Sequence, residues 1–516
     1  MEEKNIVAID LGTSKIALTV AKVNGEDAQI IYYKEIQSAG IKYSSVYNIM
    51  HVTDPLSRII RDAEEALDLK ITQAVVGMPK YPVRQESNSG LIKDRGEDTD
   101  ITGEDIAELK SYAEDSYPLE DPAKEAIYGA VAQSFSDGEN FQIIENDIIG
   151  MTSSVLEGNF KIFIGKKSDL KKIDQVMSKV GITGTKKYFT ADTTAKAVLT
   201  ASEMENGVAL IDFGAGCTSV TIYQDSIMRH YASIPFGGKN ITDDIKSECQ
   251  ISERLAENIK LAYGACMPEK LQSLSEKIIH IMSNSTEPEK KLPVKYLSEI
   301  VTARVEEIVM AIIYEIYQSG FADSLRSGIV VTGGCAQLPN LGNFIYDISG
   351  YRVRTGYAQN HFSHQGCDGL SETSATTSLG LLLAARDEMG NCAQGDYIGA
   401  MPEAAAAVTE GNESPSYADK DAFEIFNSMP QRQAGPSDVD IVYTPTEPAA
   451  QPAAEEEKEE ETIQTTIFRD DEIEKVEVVK KPKKNRDSLK PLRVVWTKIE
   501  SMAAGLYDNV NQEINE

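Results

Sequence analysis

The feature that most constrains this chain is a short pattern that occurs twice. Ile6-Val7-Ala8-Ile9 runs into Asp10-Leu11-Gly12-Thr13-Ser14-Lys15, and a second apolar run follows at residues 16–20. Far downstream, Val208-Ala209-Leu210-Ile211 runs into Asp212-Phe213-Gly214-Ala215-Gly216-Cys217-Thr218-Ser219, followed by Val220-Thr221-Ile222-Tyr223. Each reads as strand, acidic residue, glycine-bearing turn, strand. Gly12 lets backbone approach an anion, successive N–H groups with the hydroxyls of Thr13 and Ser14 can donate to phosphate oxygens, and Lys15 adds positive charge. Asp10 and Asp212, each closing its strand, suit a hydrated magnesium ion. An ordinary tight hairpin would need only the glycine, so one copy alone decides little. Two copies predict two similar lobes facing each other across a phosphate.

A third turn completes the set. Ile329-Val330-Val331-Thr332 is a buried-strand run that ends in Gly333-Gly334 before Cys335-Ala336-Gln337-Leu338-Pro339, where a flat ligand can lie against bare backbone. In this order the trio resembles the phosphate-1, phosphate-2 and adenosine motifs of the actin, Hsp70 and sugar-kinase ATPases. Within them the chain looks most like the FtsA family of bacterial cell division proteins. The resemblance implies an α/β, actin-like two-lobed ATPase fold that binds ATP and magnesium through Asp10, Gly12, Thr13, Ser14, Lys15, Asp212, Gly214, Ala215, Gly216, Cys217, Gly333 and Gly334. It departs from the usual pattern at Ala215 (commonly glycine), Cys217 (commonly threonine) and Ser219 (often acidic). A methyl at 215 disfavours left-handed backbone, which suits a turn shaped more for binding than for fast hydrolysis.

Between these motifs the chain reads as follows. Thr53-Asp54-Pro55 opens a helix to about Leu67. A polar stretch with a capping-box start at Thr102-x-x-Asp105 and strands near 126–131, 142–144 and 159–164 reads as an inserted small α+β subdomain. In FtsA proteins such an insertion serves contacts between neighbouring molecules and with other division proteins. Asp192 opens a helix over 193–204, either as its N-cap or, by resemblance, as the catalytic group that orients the attacking water. Glu257-x-x-Lys260 is either a surface ion pair at helical spacing or the pair that contacts the nucleoside in relatives. The helix over 298–318 carries an apolar stripe, with Arg304 off it; by resemblance a basic helix surface there receives the C-terminal peptide of the tubulin-like partner FtsZ. A helix over 372–386 closes the second lobe. The domain boundaries that follow are 1–81 with 162–206 for the first lobe, 82–161 for the insertion, 207–238 with 320–389 for the second lobe, and 239–319 for a helical subdomain.

Charge matters most beyond residue 389. The chain carries a formal net charge of −30, which makes it a poor nucleic-acid binder. Residues 391–479 hold 21 acidic against 5 basic residues and seven prolines, so they cannot bury enough apolar area to offset their ordering entropy. They read as a disordered acidic linker over 390–479. Residues 480–498 reverse the sign, with eight basic residues and one acid. After Pro491, Leu492, Val495, Trp496, Ile499, Met502 and Leu506 recur at spacings of three and four. A basic cluster with an amphipathic helix over 480–516 suits the headgroup layer of an anionic membrane better than a protein groove, because no neighbouring domain is there to receive it.

No apolar run approaches the length that spans a bilayer, the N-terminus has no signal-peptide character, and six scattered cysteines argue for a reducing compartment. Together with the resemblance, this predicts a protein that polymerises with itself. It would tether FtsZ filaments to the cytoplasmic face of the inner membrane at the division septum and meet other division proteins there. A sugar or acetate kinase has no use for a tethered membrane helix. An Hsp70-type chaperone needs a folded peptide-binding domain where this chain has the linker.

Overall fold

The computed structural model describes residues 3–395 apart from 26, 94–98, 282–289, 360, 365, 368 and 387. Two sheets built on the same plan organise it. In the first, the strands run in the order Gly184–Tyr188, Gln73–Gly77, Lys4–Leu11, Lys15–Asn24, Asp27–Gln37 and Ser363–His364. In the second the order is Val353–Thr355, Ile329–Thr332, Val208–Phe213, Thr218–Gln224 and Ile227–Ile234. In both, the central strand pairs antiparallel with the next strand in sequence and parallel with a strand brought back from far downstream. The register is duplicated too: Asp10 lies opposite Ala17 and Asp212 opposite Ser219, each one residue before its strand ends. The central strands are apolar runs covered on both faces, as parallel pairing requires; Ile6 to Ile9 are fully buried, and every residue of Val208–Phe213 is buried.

The insertion is a three-stranded antiparallel sheet, Val83–Ile92, Leu156–Lys166 and Glu125–Ser136. The helix Gly103–Ser116 packs Ile106, Leu109 and Ala113 onto Phe135 and Phe160. Its capping box forms as expected, with the Asp105 N–H donating to Thr102 Oγ1 at 3.3 Å and the Thr102 N–H donating to Asp105 Oδ2 at 2.7 Å. The expected strand at 142–144 reduces to one bridge, Phe135 to Ile143, while Val83–Ile92 is a strand that the sequence hides. Its residues are polar because one face is open to water, so pairing rather than alternation makes it a strand. The insertion also leans on the second lobe: Gln133 Nε2 donates to the Met228 carbonyl at 2.9 Å, and the Tyr231 N–H to Gln85 Oε1 at 3.0 Å.

Several expectations are corrected. The helix ending at Leu67 begins at Ile49, capped by Asn48, whose side chain accepts from the N–H groups of Met50 and His51. Pro55 therefore sits inside the helix, beyond the first turn in which it was expected. The helix expected over 193–204 is two, Thr190–Val198 and Ala201–Asn206, with Thr200 capping the second. The mostly helical subdomain contains an antiparallel strand pair, Ile278–Ile281 with Lys290–Pro293.

The largest correction concerns the closing helix, Thr376–Ala385. It does not cover the second sheet but packs on the first, where Leu379, Leu381, Leu382 and Ala385 bury with Ile6, Ala8, Val75 and Ile30. A helix apolar on nearly every side carries no pattern that says which sheet it covers. Leu382→Ala is accordingly expected to cost about 2–5 kcal/mol, read as a shift of the urea midpoint. The ordered chain then continues past 389: Ala393–Gln394 pairs with Lys70–Ile71, and the Cys392 N–H donates to the Asn5 carbonyl at 2.7 Å. The linker thus begins later than residue 390. The rest of it, and the 480–516 segment with Leu492, Val495, Trp496, Ile499, Met502 and Leu506, lie outside the described residues.

Candidate functional site

The equivalent ends of the two central strands meet. The Thr13 side chain lies against the Gly216 backbone so closely that a methyl group there would stand 2.5 Å from Thr13 Oγ1. Position 216 therefore admits only glycine while the two turns touch. The Gly214–Cys217 turn is closed by the Gly214 N–H donating to the Cys217 carbonyl at 3.1 Å. Its carbonyls also receive the start of the helix Gly238–Cys249: Gly238 N–H to Gly214 O at 3.0 Å and Lys239 N–H to Ala215 O at 2.8 Å.

The third turn closes the same space. Gly333 has φ +87 and ψ 171, a region essentially reserved for glycine, and an added methyl would meet Asp212 Oδ1 and the Phe213 carbonyl at 2.6 Å each. Gly334 beside it is exposed, with open space where a side chain would be. Cys335 Sγ reaches the Gly214 carbonyl at 3.6 Å. Lys260 is buried here and donates to the Gly238 carbonyl at 2.9 Å, Thr242 Oγ1 at 2.8 Å and Glu257 Oε2 at 2.8 Å. The Glu257–Lys260 pair thus faces the site instead of lying free on the surface. The three glycine turns and this pair share one cleft.

Asp10 and Asp212 stand at matching places on either side of the cleft, with the Lys80 ammonium between them. Lys80 pairs with Asp212 and lies 3.4 Å from Thr377 Oγ1. Burial pushes the Asp10 carboxyl above its ordinary range against the opposing pull of Lys80 and Lys15. Burial alone would push the Lys80 ammonium down, but Asp212 and Asp10 outweigh it and hold it above its usual value. Burial raises the Cys217 thiol to about 12 and the Cys335 thiol to about 11, so both stay neutral and add no charge to the turns. Two carboxylates at strand ends fit a hydrated divalent cation that draws its remaining ligands from water and phosphate. Among the described residues, no cluster of three or more such side chains forms a metal cage.

Sequence reasoning missed Lys80 because a single lysine three residues past a strand matches no motif. Its one signal is position, directly after the strand that pairs with the Asp10 strand. Three expected site residues have partners of their own in this structure. Lys15 turns to the neighbouring strand and pairs with Glu35, which also accepts from the Tyr33 hydroxyl. Asp192 is no N-cap, that place belonging to Phe189; it accepts from the Tyr223 hydroxyl at 3.0 Å and pairs with Lys196 at 2.8 Å. Tyr223 lies opposite Val208, at the end of its hairpin remote from the Gly214–Cys217 turn, so Asp192 is not brought to the cleft. Arg304 is no loosely solvated cation: it is half-buried and held by Asp244 at 2.5 and 2.9 Å and by Glu307 at 2.6 Å.

Comparison with known proteins agrees with this architecture. The sequence profile of the family described as cell division protein FtsA matches residues 209–380. The cell division protein FtsA of Borreliella burgdorferi is 30% identical over 358 residues, 69% of this chain and 85% of that protein. The one from Neisseria meningitidis serogroup B is 28% identical over 401 residues, 76% of this chain and 93% of that protein. Among solved structures, the PilM-PilN type IV pilus biogenesis complex superposes with a TM-score of 0.53 at 11% identity, covering 74% of this chain and 98% of that one, a likeness of fold alone. The fold is actin-like, and the chain belongs to the FtsA family of cell division proteins.

Proposed function

We propose that this protein binds ATP with magnesium in the cleft between its lobes, polymerises, and anchors FtsZ filaments to the cytoplasmic face of the inner membrane at the division septum. The observation that carries the nucleotide reading is the convergence of the three glycine turns on Asp10 and Asp212. In it, the phosphates lie between residues 12–14 and 214–217, Asp10 and Asp212 hold the hydrated magnesium, and the nucleoside lies by Gly333, Gly334, Glu257 and Lys260. The magnesium supplies charge neutralisation for the phosphate tail. The protein's groups bind and orient, and with Asp192 turned away the site suits retention of nucleotide more than its turnover.

The adaptor reading rests on family membership and on the chemistry of the tail. Trp496 and its apolar neighbours, next to eight basic residues within 480–498, favour an anionic lipid surface. Removing residues 486–516 is expected to release the protein from anionic liposomes in a flotation assay. A truncated form that still floats would end that reading. The FtsZ contact is tested separately: cutting the C-terminal peptide from FtsZ should end co-sedimentation with this protein, and unchanged co-sedimentation would remove the partner. Were Arg304 part of that contact, an acidic peptide would have to displace Asp244 and Glu307 from it.

A further inference from the structure

We propose that Lys80 is a built-in cation of the nucleotide site, one that passes from Asp212 to the phosphate tail when nucleotide enters and holds it even without a divalent metal. This rests on the nucleotide reading above and goes beyond it.

The geometry around Lys80 is a built one. Its backbone is fixed from two directions: its N–H donates to Ser44 Oγ at 3.3 Å, and its carbonyl accepts from the Tyr231 hydroxyl at 2.7 Å. Ser44 belongs to the first lobe, next to the first turn, for the Ser44 N–H donates to Thr13 Oγ1 at 3.1 Å. Tyr231 belongs to the edge strand of the second sheet. The side chain crosses from the first lobe to Asp212 of the second and is only 15% exposed. A long flexible lysine held this way is aimed before any ligand arrives.

Charge gives that aim a purpose. Asp10 and Asp212 both act on this ammonium, and a triphosphate adds several further negative charges. The first turn's own lysine does not answer them, since Lys15 is engaged by Glu35. Lys260 is engaged by Glu257 and lies by Gly238, on the side of the cleft nearer the third turn. Lys80 is therefore the ammonium placed beside the paired aspartates, where a phosphate tail would enter. A compact ammonium is a point charge well suited to phosphate. The exchange needs no bond chemistry: a carboxylate contact is given up for a phosphate contact, and Asp212 is freed to take a metal's water when a metal is present.

The test is titration calorimetry with ATP, once with magnesium and once with excess chelator, on the full chain. The wild type is expected to bind under both conditions. Lys80→Gln, which keeps a donor toward Asp212, is expected to weaken metal-free binding by about tenfold or more beyond any loss in magnesium-ATP affinity. Because a single change can unsettle the buried carboxylates, Lys80→Gln with Asp212→Asn is compared with Asp212→Asn alone, where the same metal-free loss is expected. A wild type that binds only with magnesium, or variants that keep metal-free binding, would overturn the proposal while leaving the nucleotide site standing. A wild type that binds under neither condition would instead remove the nucleotide reading itself.

Discussion

Asp212→Ala is expected to abolish detectable ATP binding and to destabilise the protein by about 3–5 kcal/mol. Both effects follow from one geometry. Asp212 is buried at the end of the Val208–Phe213 strand, and its carboxylate is the partner of Lys80 across the cleft. Removing it leaves the ammonium without that partner, with Asp10 and Thr377 as its remaining neighbours. It also removes one of the two carboxylates proposed to hold magnesium. Calorimetry reads the first effect and urea denaturation the second. Asp212→Asn separates them: the amide keeps the shape and a polar contact, so stability should fall less while affinity for magnesium-ATP still drops sharply. Unchanged ATP affinity in either variant would dissociate Asp212 from the site.

Gly333→Ala is expected to cost roughly 1–3 kcal/mol from backbone conformation alone, and more from the contacts an added methyl would force on Asp212 and Phe213. The neighbouring substitution is the control. At Gly334→Ala nothing lies within 4 Å of the new carbon, so stability should stay within about 0.5 kcal/mol of the parent. Two adjacent glycines thus carry opposite expectations, checked by thermal melts of the two variants side by side. Equal melting temperatures would mean that the third turn is not seated on the Asp212 strand. Because the Gly333 carbonyl also accepts from Thr373 Oγ1 at 2.7 Å, just ahead of the closing helix, strain there is expected to loosen that helix's first turn as well.

The parts of this architecture that were legible in the sequence are those whose cause is local. Ile6–Ile9 and Val208–Ile211 are continuous apolar runs stopped by Asp and Gly, and that pattern fixes strand, turn and strand without reference to anything distant. Duplicating it predicts the duplicated sheet. The capping box at Thr102 and Asp105 is also a matter of neighbours. What was hidden depends on distant partners. The closing helix is apolar at Leu379, Leu381 and Leu382, which says that it is covered but not by which sheet. Asp192 and Arg304 carry charges that could face a ligand or a protein partner; Tyr223 holds the first and Asp244 the second, and neither is near in sequence. Lys80 has no motif around it and gains its meaning only when the second lobe sets Asp212 opposite. Pro55 misled in another way: proline commonly marks a first helical turn, but Asn48 caps this helix earlier, and the proline is accommodated within it.

Whether the equivalent ends of the two duplicated sheets form one nucleotide cleft is read from a crystal structure of the full chain with a non-hydrolysable ATP analogue and magnesium. Phosphates are expected between residues 12–14 and 214–217, a metal beside Asp10 and Asp212, and the purine against Gly333 and Gly334 within reach of Lys260. An analogue bound outside that cleft, or a cleft that stays shut with Lys80 on Asp212 at saturating ligand, would contradict that expectation.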